Sequence, residues 1–188
     1  MNPSPGEPPM SRRAVFLDRD GILNAAVVRD GRPYPPASLA EMTLLPGVED
    51  ACARLKKSGF LLIVVTNQPD IAKGKTTIGE VEAINAALQA RLGLDEVCVC
   101  PHDDADNCAC RKPKPGLLLD AAHRWKIDLT KSFMIGDRWR DVEAGRAAGC
   151  RTVFVDYGYA ERRPDAPDMV AVSLAAVVPD IIAALERT

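Results

Sequence analysis

The sequence predicts an α/β fold, a doubly wound, Rossmann-like parallel sheet with helices on both faces. Three observations lead there. Apolar runs too short to be helices recur along the chain, the longest being Phe60 to Val65. Segments with helical spacing of apolar residues separate these runs. Three of the runs stop abruptly in polar clusters, as strands do when their carboxyl ends meet at one edge of an open sheet.

The elements follow in order. Residues 1–13 hold four prolines and no apolar stretch, and read as a flexible tail rather than a signal peptide. Residues 14–188 read as one domain. Ala14 to Leu17 is the first strand, ending in Asp18-Arg19-Asp20-Gly21. Asn24 to Pro36 is a short loop carrying Arg29, Arg32 and Tyr34, and is the only cap the chain has room for. Val48, Ala51, Cys52 and Leu55 mark a helix that Ser58-Gly59 ends. Phe60 to Val65 suits a strand buried on both faces, and Thr66-Asn67-Gln68 follows it. Thr77 and Glu80 form the pattern of a capping box before a helix with Val81, Ile84 and Leu88 on its apolar face. Glu96 to Cys100 is the third strand, and Leu118, Ala122 and Trp125 mark a helix after Pro115-Gly116. Phe133-Met134-Ile135 is a strand ending at Gly136-Asp137, with a helix behind it that Gly149 closes. Thr152 to Val155 is the next strand. Pro179 is expected in the first turn of a last helix running towards Arg187.

Composition narrows the classes. The chain has 188 residues, 47% of them hydrophobic, enough for a real core. A formal net charge of −2 gives no reason to expect nucleic acid or an anionic membrane as partner. No apolar stretch reaches the roughly 18 residues of a membrane span. A cytoplasmic monomer is expected.

The polar clusters suit one chemistry. Residues two apart in a strand share a face, so Asp18 and Asp20 can converge on one metal or one phosphorus. A carboxylate can attack phosphorus to form an aspartyl-phosphate. Thr66 and Asn67 offer a hydroxyl and an amide to phosphoryl oxygens, and Lys112 offers a positive charge. The carboxylates, with Asp137 and Asp141 after the fourth strand, can hold Mg²⁺. Each part alone has a plain alternative: solvated acids, a turn, a helix cap. Their order at successive strand ends favours phosphoryl transfer.

Asp18-x-Asp20-Gly21, Thr66-Asn67, Lys112 and Gly136-Asp137-x-x-x-Asp141 resemble the four motifs of the haloacid dehalogenase (HAD) superfamily of phosphohydrolases. The resemblance covers about residues 14 to 188. Phe16 to Gly21, Val65 to Gln68, Ile71 to Gly74 and Cys108-Ala109-Cys110-Arg111-Lys112-Pro113-x-Pro115-Gly116 are similar to one branch of it. That branch contains the D-glycero-D-manno-heptose 1,7-bisphosphate phosphatases and the histidinol-phosphate phosphatases. The resemblance implies Asp18 as nucleophile and Asp20 as acid, then base. It implies Mg²⁺ held by Asp18, the Asp20 carbonyl and Asp137, with Thr66 and Lys112 on the phosphoryl oxygens. Asn67 is placed on the substrate, and Asp141 on Lys112 or a metal-bound water.

Six cysteines are present. Cys52 and Cys150 read as buried small hydrophobes. Cys100, His102, Cys108 and Cys110 supply three thiolates and one imidazole, a closed tetrahedral set for a structural Zn²⁺, and the resemblance implies the same. The metal would fix the polar loop 101–113. Cys98 is read as part of the strand's buried face, and His123 as a surface residue. The plain alternative for the cluster is four unligated thiols beside one histidine.

A small cap suits a compact sugar phosphate, and the resemblance implies a sugar bisphosphate, most specifically the heptose 1,7-bisphosphate at its 7-phosphate. Arg111 and Arg138 are the candidates to hold its second phosphate. Histidinol phosphate or another small monoester is the alternative substrate, and a non-catalytic zinc-stabilised binding domain the alternative of another class. Asn67-Gln68-Pro69-Asp70 departs from the branch's usual Asn-Gln-Ser-Gly, which leaves the sugar and its anomer open.

Overall fold

The computed structural model describes residues 12–185. The tail expected over 1–13 therefore lies outside the described residues except for its last two: Arg12 bridges Ile127, and Arg13 opens the first strand.

The strands are β1 (Arg13–Leu17), β2 (Val27–Arg29), β3 (Arg32–Tyr34), β4 (Phe60–Asn67), β5 (Glu96–Cys100), β6 (Phe133–Gly136), β7 (Arg151–Val155) and β8 (Met169–Ala171). The helices are α1 (Val48–Lys57), α2 (Ile78–Leu92), α3 (Gly116–Trp125), α4 (Trp139–Ala148) and α5 (Leu174–Leu185). Six strands form one parallel sheet in the order β5-β4-β1-β6-β7-β8. The doubly wound fold is thus the one the apolar runs imply.

The two-residue period of the strands divides the core. Val15, Leu17, Leu62, Val64, Phe133 and Ile135 pack with α1, α2 and α5. Phe16, Ile63, Val65 and Met134 point the other way, to α3 and α4. Because both faces are buried, these strands are continuous apolar runs rather than alternating ones. Thr77 caps α2 with its hydroxyl, which accepts from the Glu80 N–H at 3.2 Å.

β1 is central. The chain proceeds to β4 and β5 on one side, then crosses to β6 on the other. The carboxyl ends of β4 and β6 thus flank that of β1, the switch point where open α/β sheets bind ligands.

Two expectations need correction. The last helix begins at Leu174, so Pro179 lies inside it rather than in its first turn. Proline cannot donate to the carbonyl one turn back. Leu174, Val177, Val178, Ile181 and Ala184 nevertheless keep one buried stripe across it, and that burial holds the helix together. Arg187 lies outside the described residues. The cap loop is the second correction: it is a β-hairpin, with β2 and β3 antiparallel and Arg29 opposite Arg32. Asp30 and Gly31 both have positive φ, the turn that an Asp-Gly pair favours between two strands. Among the described residues no helix is long and apolar enough to cross a membrane.

Candidate active site

Asp18 follows β1, Thr66 and Asn67 end β4, and Gly136-Asp137 end β6 and lead into α4. Lys112 reaches the same point from the loop after β5. Its side chain is 2% exposed. It donates to Asp18 Oδ1 at 2.8 Å and to the Val65 carbonyl at 2.7 Å, and it pairs with Asp141 Oδ1 at 2.6 Å. Burial disfavours the charged lysine, but Asp141 and Asp18 outweigh it and hold the pKa above its ordinary value. Asp18 is pushed up to about 6 by burial, which the lysine opposes and Asp141 reinforces.

Asp137 completes the cluster. Ligand atoms of Asp18, Asp137 and Asp141 lie within 4.8 Å of one another. Asp137 is 2% exposed, and its carboxylate oxygens make no hydrogen bond of good geometry, the Tyr159 hydroxyl being the one neighbour that favours its charge by hydrogen bonding. Burial, then the charges of Asp18 and Asp141, raise its pKa well above the carboxylate range. Three buried carboxylates facing one ammonium carry more negative charge than that ammonium balances, and are a donor set that fits a hard divalent cation. The glycines serve the same packing. A Cβ on Gly21, whose φ is +90°, would lie 1.9 Å from Asp137 Oδ2. One on Gly136 would lie 2.1 Å from the Asp141 Cβ.

Asp20 sits in a cradle of donors: Arg19, Asn24 Nδ2 at 2.9 Å and Gln68 Nε2 at 2.8 Å. Gln68 Nε2 also donates to Thr66 Oγ1 at 2.9 Å. The Asn67 amide donates to the Lys112 carbonyl at 3.0 Å and accepts from the Lys112 N–H at 3.1 Å. Asn67 therefore fixes the backbone of the lysine.

Asp18, Asp20, Thr66, Asn67, Lys112, Arg111 and Arg138 all line one cleft of about 380 Å³. Asp137, beside Asp18, does not line it. Both arginines already have partners. Arg111 donates to Asp104 Oδ1 at 2.8 Å and to the His102 carbonyl at 3.1 Å. Arg138 grips the Glu161 carboxylate with Nε and Nη2. Arg32 from the hairpin and Arg140 from α4 join the rim, and Arg140 shares Asp104 with Arg111. The sequence placed Arg32 on the cap loop but assigned neither of these two to the rim. Arg140 had a signal, since it stands in the first turn of the helix behind Asp137. Glu161 had none, being remote in the chain and in no motif.

Cys100, His102, Cys108 and Cys110 come together as a separate cluster. Cys110 Sγ lies 3.2 Å from Cys100 Sγ and 3.3 Å from Cys108 Sγ. Cys100 lies 3.6 Å from Cys108, and His102 Nδ1 lies 3.6 Å from Cys100 and 3.3 Å from Cys110. A tetrahedron with Zn–S bonds of about 2.3 Å has corners roughly 3.7 Å apart, so the donor set fits zinc closely. Cys98 stands outside it, buried and touched by Arg124 Nη2 at 3.4 Å. Cys52 and Cys150 are buried, and His123 is exposed.

The chain has close relatives. The profile of the HAD-hydrolase-like family matches residues 109–182. The D-glycero-beta-D-manno-heptose-1,7-bisphosphate 7-phosphatase of Pseudomonas putida is 37% identical over 80% of this chain and 86% of its own length. The enzyme of that name from Escherichia coli K12 is 38% identical, over 74% of this chain and 76% of its own. The crystal structure of the D,D-heptose 1,7-bisphosphate phosphatase from B. bronchiseptica, complexed with magnesium and phosphate, superposes with a TM-score of 0.75. It is 31% identical and covers 94% of this chain and 99% of its own. The chain belongs to the heptose-1,7-bisphosphate 7-phosphatase family of HAD-like hydrolases.

Proposed function

We propose that this protein is a Mg²⁺-dependent phosphatase that removes the 7-phosphate of D-glycero-D-manno-heptose 1,7-bisphosphate. The observation that carries the reading is the buried set of three carboxylates, Asp18, Asp137 and Asp141, around the single ammonium of Lys112. The Asp18 carboxylate attacks phosphorus, the bond to the sugar oxygen breaks, and that oxygen takes a proton from Asp20. Water then attacks the phosphorus of the aspartyl-phosphate and gives a proton to Asp20, releasing Asp18 and inorganic phosphate. Lys112 and Thr66 bind the phosphoryl oxygens. Asp18, the Asp20 carbonyl and Asp137 would hold Mg²⁺, which supplies charge neutralisation at the transferring group. The test is turnover of the heptose bisphosphate against histidinol phosphate, side by side. Faster hydrolysis of histidinol phosphate would overturn the substrate.

The metal has a test independent of activity. A ligand that binds only the folded protein stabilises it by about 2.7 kcal/mol at a hundred times its Kd. For a domain of this size that is roughly 5 to 10 °C in Tm. Mg²⁺ is expected to raise the wild-type Tm by this order and the Tm of Asp137→Ala not at all. Without Mg²⁺, Asp137→Ala is expected to melt no lower than wild type, because it removes a buried carboxylate whose charge burial, Asp18 and Asp141 all oppose. An equal Mg²⁺ response in both proteins would remove Asp137 from the site.

The second phosphate of the substrate falls to the arginine rim, with Arg111 and Arg138 as its candidate ligands. Arg111→Ala is expected to lower kcat/KM for the bisphosphate about ten- to hundredfold. A charge-assisted contact contributes roughly 1.5 to 3 kcal/mol. The same variant should change hydrolysis of p-nitrophenyl phosphate, which has no second phosphate, by less than about threefold. An equal fall for both substrates would place Arg111 in the catalytic centre or the fold.

A further inference from the structure

The side chain of Arg19, the residue between the two aspartates, is unexplained by the chemistry above. It does not point into the cleft. It is 1% exposed, the largest fully buried side chain among the described residues. A buried guanidinium is costly unless every face of it is paired. Its Nε lies 3.2 Å from both oxygens of Asp20, and Nη2 lies 3.0 Å from Oδ2. Nη1 donates to Asn85 Oδ1 at 3.0 Å. Asn85 is itself buried, on α2. The Arg19 carbonyl accepts from the N–H groups of Leu23 at 2.9 Å and of Ile22 and Asn24 at 3.3 Å, closing the turn after β1. The same turn delivers the Asn24 amide to Asp20 Oδ1.

One residue thus sets the turn with its main chain and the Asp20 carboxylate with its side chain, and Asn85 anchors it to a helix. We infer that Arg19 is a positioning residue for proton transfer. Held by Asn85, it fixes the orientation in which Asp20 gives a proton to the leaving oxygen and later takes one from water. Asn24 and Gln68 are the neutral donors on the same carboxylate. They can exchange with leaving group or water without stranding a charge, whereas the guanidinium cannot leave. The inference rests on Asp20 as acid and base.

A positioning role has a signature that a structural one lacks. In the first step the bond to the leaving oxygen breaks as Asp20 delivers its proton. A p-nitrophenolate departs without that proton, while a phenolate or sugar alkoxide needs it. The experiment compares kcat/KM for p-nitrophenyl phosphate, phenyl phosphate and the heptose bisphosphate in wild type, Arg19→Met, Asn85→Ala and Asp20→Ala. Arg19→Met is expected to lose about ten- to hundredfold on the two poor leaving groups and less than about threefold on p-nitrophenyl phosphate. It should also show a burst of nitrophenol, because the second step still needs the base. Asn85→Ala, which keeps the arginine and removes its anchor, should show the same ranking with smaller factors. It decides the matter if Arg19→Met does not fold. Equal factors on all three substrates, or no change, in the variants that fold would overturn the inference. Asp20→Ala keeps the two failures apart. If it discriminates between leaving groups and the others do not, only Arg19 loses its role. If it does not discriminate, the acid assignment falls and the inference with it. The aryl pair gives this answer whichever sugar is the substrate.

Discussion

Asp18→Asn is expected to fold as the parent does and to lose essentially all turnover, at least a thousandfold on any phosphomonoester. An amide is no nucleophile towards phosphorus, so the aspartyl-phosphate cannot form and the direct attack of water remains as the only route. The fold has little reason to suffer. Asp18 is raised to about 6 because burial disfavours its charge, so a neutral side chain of the same shape relieves that penalty. Lys112 loses the charge on one partner, yet it keeps the Val65 carbonyl and Asp141. Turnover of p-nitrophenyl phosphate and the Tm, measured on one preparation, check both halves. Retention of more than a tenth of the wild-type rate would take the nucleophile's role from Asp18.

Much of this cluster was readable because Asp18, Asp20, Thr66 and Asp137 lie at or just after a strand end, and the strands announce themselves, whereas Lys112 comes in from the loop after β5. A parallel strand covered on both faces has to be apolar throughout, so Val15 to Leu17 and Leu62 to Val65 stand out without an alignment. The polar residue that follows such a run is then at the carboxyl edge by construction. The clustering of Cys100, His102, Cys108 and Cys110 was readable for a similar reason: four possible metal ligands crowd one short segment, and spacing alone brings them together. What escaped the sequence reading depends on pairings across the fold. Arg19 with Asn85, Arg138 with Glu161, and Asp104 with both Arg111 and Arg140 join residues from different elements, and no local pattern marks them. The hairpin was missed for want of alternation, although Asp30-Gly31 was the signal for it. Pro179 was misplaced because a local rule about helix starts competed with a buried stripe running on both sides of it. Here tertiary burial won over local preference.

The cysteine–histidine cluster carries the other large effect. Protein purified without chelator should contain about one equivalent of zinc per chain. Dialysis against EDTA should remove Mg²⁺ and activity while leaving that zinc in place. Cys110→Ser is the decisive change, because the Cys110 sulfur lies within 3.3 Å of each of the other three donors and removing it opens one corner of the tetrahedron. A serine hydroxyl does not ionise at neutral pH, and the remaining three donors hold the metal far more weakly. The loop 101–113 is polar and contributes little to the apolar core, so a metal bound there would add a support that its ion pairs to Lys73 and Arg140 do not supply. Arg111 takes one of its bonds from the His102 carbonyl within that loop. Lys112 is better secured, since Asn67 holds its backbone from β4. The variant should therefore lose its zinc and melt lower by roughly 5 to 15 °C, the equivalent of a few kcal/mol. Bisphosphate turnover should suffer more than p-nitrophenyl phosphate turnover, because the arginine rim moves before the lysine does. Cys98→Ala is the matched control. It removes a buried thiol two residues from Cys100 but outside the set, and should retain a full equivalent of zinc. If Cys110→Ser kept its zinc, or if the wild type held none, the four donors would be packing partners, and the order of the loop would need another cause.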